Sequence, residues 1–76
     1  MIDKKKIETT LIEINPKIKK VIKKKNFNLI DNGFLDSLLI IRFIYKIESI
    51  TKKKIKIGKI KRDSFSNLNK IYKILN

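Results

Sequence analysis

A chain of 76 residues with neither cysteine nor histidine has to hold itself together with an apolar core alone. That length gives room for one domain, residues 1–76. It buries about 60–65% of the surface its unfolded form exposes, so the stability margin is thin and a deep enzyme cleft beside the core is not accommodated. The missing residue types also remove chemistry: no thiolate nucleophile, no imidazole base and no Cys or His metal ligands. A metal site would have to come from seven scattered Asp and Glu residues, a poor supply. The chain is therefore expected to have no catalytic residues and no metal, to be no enzyme, and to take any reactive group from outside itself.

The hydrophobic fraction of 42% is too high for an obviously disordered chain. The longest apolar run, Leu38 to Ile41, is far too short to span a bilayer. The basic stretch Lys4-Lys5-Lys6 is not followed by the long apolar run of a signal peptide, so a cytoplasmic location is the default expectation.

The periodicity of the apolar residues predicts an all-α domain. Ile7, Leu11 and Ile14 recur at helical spacing over residues 3–14, and Ile18 and Ile22 continue the stripe. Pro16 interrupts it, and Asn15-Pro16 suits a fresh start with Asn as cap and Pro at the first helical position, continuing to about Lys23. Residues 24–35 read as a long first loop: Lys23-Lys24-Lys25 repels itself, some of Phe27, Leu29 and Ile30 tuck into the core, and Asp31-Asn32-Gly33 is a turn signal. A second helix is predicted from Asp36 or Ser37 to about Ser49 or Ile50, with Asp36 as its cap. Its stripe is Leu38, Ile41, Ile44 and Ile47, widened by Leu39, Ile40 and Phe43. A helix this apolar is either central or partly exposed for binding. Residues 51–59 read as an extended loop anchored by Ile55 and Ile57 and broken at Gly58. A short helical turn near Ile60 to Phe65 precedes a last helix, Ser66 to Leu75, capped by Ser64 or Ser66, with Leu68, Ile71 and Leu75 facing inward. The result is a small bundle of three to four helices.

The formal charge is +13, from 20 Lys and Arg against 7 Asp and Glu. Such a balance first points to nucleic acid or an anionic membrane. However, all but Arg42 and Arg62 of these cations are Lys, which cannot form bidentate forks. The chain is also crowded with Ile and Asn, and Lys, Ile and Asn share A/T-rich codons, so compositional drift is a second source of the charge.

The most informative segment is Asp31-Asn32-Gly33-Phe34-Leu35-Asp36-Ser37-Leu38. It puts a serine hydroxyl at the start of an apolar helix just after a glycine turn. The first N–H groups of a helix lack partners and the macrodipole is positive there, so a phosphate esterified to Ser37 would sit in favourable electrostatics. Taken alone, Asp-Ser-Leu before an apolar run is also an ordinary helix cap.

In its Asn-Gly-Phe-Leu-Asp-Ser-Leu core the sequence resembles the attachment motif of the acyl carrier protein family. The spacing between Gly and Asp is most similar to D-alanyl carrier and other specialised carrier proteins. The resemblance covers essentially the whole chain: a long first helix, a long loop, the serine at a helix start, Glu48 eleven residues later, the Ile55–Ile57 segment, and Asp63-Ser64-Phe65-Ser66 before a final helix.

The resemblance implies a helical bundle of acyl carrier protein type with a long first loop. It implies 4′-phosphopantetheine in a phosphodiester on Ser37, transferred from coenzyme A by a phosphopantetheinyl transferase, with Asp36 assisting near that enzyme's magnesium. The terminal thiol would carry an acyl or aminoacyl group as a thioester, loaded by a ligase and passed to a downstream acyltransferase in a specialised biosynthetic pathway. Leu38, Ile41, Arg42, Tyr45 and Glu48 would meet those partners, and the carrier would be a monomer.

In charge the sequence departs from the family, whose members are usually acidic along the second helix. Here Arg42 stands where an acid is frequent, and Lys46 follows one turn on. Between Asn26 and Tyr45 the only charged residues are Asp31, Asp36 and Arg42, so the lysine excess avoids the motif. Like charges across an interface cost several kcal/mol, which favours a dedicated partner with an acidic or apolar face over central fatty acid synthesis.

The alternative is a small basic helical module on nucleic acid or an anionic surface. Base-reading chemistry is scarce, since no helix is rich in Arg, Asn or Gln, which argues against nucleic acid. Residues 3–24 offer a weak amphipathic face for anionic lipid.

Overall fold

The structure, a computed structural model, describes residues 2–24, 27–56, 58 and 60–76. Among these there is no strand. Three α-helices, α1 (Lys4–Ile14), α2 (Ser37–Thr51) and α3 (Leu68–Leu75), are joined through 3-10 segments at Pro16–Lys20 and Arg62–Phe65. Among the described residues no helix is long and apolar enough to cross a membrane.

Each helix begins where a short polar side chain can satisfy an orphan amide. The Lys6 N–H donates to Asp3 Oδ1 at 2.7 Å, Leu39 N–H to Asp36 Oδ1 at 2.9 Å, and Lys70 N–H to Asn67 Oδ1 at 2.9 Å. Asn15 caps the first 3-10 segment, accepting from Lys17 N–H with Pro16 just inside, as the dipeptide predicts. The cap of α3 is Asn67, not Ser64 or Ser66, because Ser66 is buried and its carbonyl accepts from the Leu29 N–H.

The core gathers Ile7 and Leu11 of α1, Ile18, Leu29, Leu35, Phe43, Ile44 and Ile47 of α2, Phe65 and Ile71. The stripe of α2 differs from the one its spacing first offers. Ile40, Phe43, Ile44 and Ile47 face inward, whereas Leu38 and Ile41 are exposed. Both registers fit a helical period in so apolar a segment, and only the packing of Phe43 edge-on against Phe65 (ring centroids 6.4 Å apart) selects between them.

The first loop is held rather than free. Leu29 N–H donates to Ser66 O at 2.7 Å, while the Leu29 carbonyl accepts from Phe34 at 2.8 Å and Leu35 at 3.1 Å. Asn28 Oδ1 gathers the amides of Ile30 and Asp31, and Asn15 Nδ2 donates to the Phe34 carbonyl at 3.0 Å. Gly33 closes the turn at φ 79, a conformation that costs glycine little. These contacts deliver the chain to Asp36 in a fixed position. Ile57 and Lys25, on which two expectations fell, lie outside the described residues.

Candidate functional site

Ser37 is the first residue of α2 and is exposed. Asp36, in extended conformation (φ -127), caps the helix with its side chain on Leu39 N–H, and its carbonyl accepts from Ile40 N–H at 2.9 Å. Asp36 thereby satisfies two of the first four amides. Among the described residues the amides of Ser37 and Leu38 and the Ser37 hydroxyl have no partner. Two free N–H groups at the positive end of a fifteen-residue helix, beside a free hydroxyl, suit a phosphate ester. The one carboxylate at this turn, Asp36, spends Oδ1 on the cap, while its Oδ2 makes no hydrogen bond among the described residues.

The surface beside Ser37 is apolar. Leu38 is 59% exposed, Ile41 38% and Tyr45 62%, and their spacing puts them on one face of α2. Arg42 is exposed on the same helix, and Lys46 pairs with Glu13 of α1 at 3.2 Å. Residues 27–41 hold no basic residue, where the chain's average density would put about four. Exposed aliphatic and aromatic side chains cleared of lysine have the composition of an interface centre.

Of the residues expected to act together, Asp36, Ser37, Leu38, Ile41, Arg42 and Tyr45 lie along α2 from its start. Glu48 is set apart: it is half-buried, and its Oε2 accepts from the Ile55 N–H at 2.7 Å, so it fastens the following loop.

A second feature lies at the other end of α2, about 20 Å away along a helix of that length. Here Ile47, Ile55, Ile60, Ile74 and Leu75 line an open groove of about 650 Å³, edged by Lys6, Lys53, Lys54 and Lys56. The amphipathic pattern of residues 3–24 does not supply such a face, because Ile7 and Leu11 of α1 are wholly buried in the core. The groove was not legible because its lining comes from four separate parts of the chain. The local signal was the lysine run 52–54 next to Ile55.

Among the described residues no cluster of acids could hold a metal ion. No protein-family model, curated protein or solved structure matches this chain.

Proposed function

We propose that the chain is a carrier protein with an acyl-carrier-type helical bundle. It bears an acyl or aminoacyl group as a thioester on 4′-phosphopantetheine attached to Ser37 and delivers it to partner enzymes of a specialised pathway. The observation that carries the reading is the exposed, unbonded Ser37 hydroxyl at the first position of α2, beside two unpartnered amides.

Attachment is a phosphoryl transfer. The Ser37 oxygen bonds to the phosphorus nearer the pantetheine of coenzyme A, the pyrophosphate bridge breaks, adenosine 3′,5′-bisphosphate leaves, and the serine proton passes to a base of the transferase. The chain's part is positional. Asp36 fixes the first turn of α2, the unpartnered Ser37 and Leu38 amides would be available to the phosphate of the attached group, and the Leu29 and Asn28 hydrogen bonds hold the approach loop. When bound, the group supplies the thiol that this cysteine-free chain lacks. Leu38, Ile41 and Tyr45 give the partner enzyme an apolar foothold beside the arm. Arg42 makes an acidic or apolar partner face the better fit.

The test is incubation with coenzyme A and a panel of phosphopantetheinyl transferases, including that of the source organism, followed by intact-mass measurement. One phosphopantetheine should be added to the wild type and none to Ser37→Ala. Absence of any mass increase across the whole panel removes the carrier reading.

A further inference from the structure

The lysine-edged groove beyond the end of α2 has no part in the carrier chemistry, and its composition points elsewhere. We propose that this end of the molecule docks on the surface of an anionic phospholipid membrane, which leaves Ser37 facing away from the bilayer. The proposal does not depend on any modification of Ser37.

Three observations carry it. The first is charge: residues 52–62 contain seven Lys and Arg and no acid. Across the groove Lys6 of α1 adds to Lys53, Lys54 and Lys56. Among the described residues none of these four ammonium groups is in an ion pair. The two nearby acids, Asp3 and Glu48, accept from the backbone amides of Lys6 and Ile55 and form no ion pair with these lysines among the described residues. Clusters of four or more cations attract anionic lipid by roughly fivefold in binding per lysine near the surface.

The second is the apolar centre inside that ring. Ile50 is 45% exposed, and Ile55 and Ile60 are half-buried in the groove wall. A phosphodiester backbone offers such side chains nothing, whereas the acyl region just below lipid headgroups does. Lysine suits the same place, with its stem along apolar surface and its ammonium among phosphates. The near absence of arginine forks points away from nucleic acid as well.

The third is geometry. α1 and α2 run antiparallel: Lys6 joins Ile47 and Thr51 at the groove, while Asn15 at the far end of α1 bonds to Phe34 beside the start of α2. The basic end and Ser37 are therefore at opposite ends of one packed helix pair, about 20 Å apart. Contact at one does not obstruct the other.

Sedimentation with vesicles tests this on the full chain. Two compositions are used, phosphatidylglycerol with phosphatidylcholine in equal parts and phosphatidylcholine alone. Wild type should bind the anionic vesicles at least about tenfold more tightly, and 0.5 M salt should remove most of the binding. Lys53→Glu/Lys54→Glu/Lys56→Glu should lose about tenfold or more. Lys17→Glu/Lys19→Glu/Lys20→Glu changes net charge equally in the 3-10 segment past the far end of α1 and should lose less than about threefold. Ile50→Ser should lose about threefold while keeping the salt dependence. Circular dichroism checks that each variant is folded, and the corresponding glutamine substitutions serve where charge reversal disturbs the helices. Equal losses in the two triple variants would show that net charge alone acts, and the proposal fails. It also fails if Ile50→Ser binds like wild type, or if duplex DNA at equal phosphate concentration is bound more tightly than the anionic vesicles.

Discussion

Glu48 turns the chain at the end of α2 with two different acceptors: its backbone carbonyl takes the Lys52 N–H at 2.8 Å, and its side-chain Oε2 takes the Ile55 N–H at 2.7 Å. One residue thus ends the helix and folds the lysine-bearing loop back over Ile47. A hydrogen bond to a charged acceptor contributes about 1.5–3 kcal/mol when sheltered, and Glu48 is only half-buried. Glu48→Ala should therefore destabilise the domain by about 1–2 kcal/mol. Glu48→Gln keeps a neutral acceptor and should lose about half of that. Urea unfolding measures both as a shift in midpoint at constant slope. An unchanged midpoint in Glu48→Ala would mean that the loop is held by its apolar contacts alone.

Lys52, one residue past α2, is left-handed at φ 61, the one non-glycine residue with positive φ among those described. A side chain there is strained, and a helix ending in this conformation prefers glycine. Lys52→Gly should raise stability by about 0.5–1 kcal/mol, the strain relief exceeding the added freedom of the unfolded chain. Thermal unfolding reads this as an increase of a few degrees in Tm.

Two starts were legible in the sequence because a short polar residue precedes an apolar period, Asn15-Pro16 before the 3-10 segment and Asp36 before α2; α1 showed itself through its stripe alone, and Asn67, the cap of α3, was hidden behind Ser64 and Ser66. The exposed setting of Ser37 followed from the same reading, since the first turn of a capped helix faces outward. What the sequence hid was long-range. The inner face of α2 could not be chosen among residues 38–47, broken only by Arg42 and Lys46, because the contact of Phe43 with Phe65 that selects it is long-range. The asparagines were the other surprise. Counted as a by-product of composition, several act as fasteners: Asn28 organises the first loop, Asn15 holds Phe34, and Asn76 donates to and accepts from the backbone of Ile2 at 2.9 Å in each direction. A side-chain amide reaching a distant backbone leaves no periodic trace in the chain.

The division between core and contact faces of α2 separates two kinds of variant. Phe43 is 1% exposed and Tyr45, two residues on, is 62% exposed. Phe43→Ala removes a packed ring from a small core and should cost about 3–5 kcal/mol, enough to unfold a marginal domain. Tyr45→Ala and Leu38→Ala should change stability by less than about 0.5 kcal/mol. If the carrier reading holds, these two should instead weaken transfer to the partner enzyme, by about tenfold for a central contact. Denaturation and single-turnover transfer assays read the two effects independently. Loss of stability in Leu38→Ala comparable to Phe43→Ala would place that side chain inside the core.

Asp36 serves the fold through its cap on Leu39 N–H, and in the carrier reading it also serves the transferase through its charge. Three substitutions separate these roles. Asp36→Ala loses both, and the missing cap should cost about 1 kcal/mol. Asp36→Asn keeps a side-chain oxygen for the amide, so stability should stay within about 0.5 kcal/mol of wild type. Having lost the carboxylate, however, it should be modified far more slowly at matched coenzyme A. Ser37→Ala leaves the cap in place and exchanges an exposed hydroxyl for a good helix former, so the fold should be unchanged or slightly firmer while modification stops. Unfolding midpoints beside the rate of mass increase give the full comparison. Equal modification rates for wild type and Asp36→Asn would confine Asp36 to its structural role and leave Ser37 as the single chemical contribution of this turn.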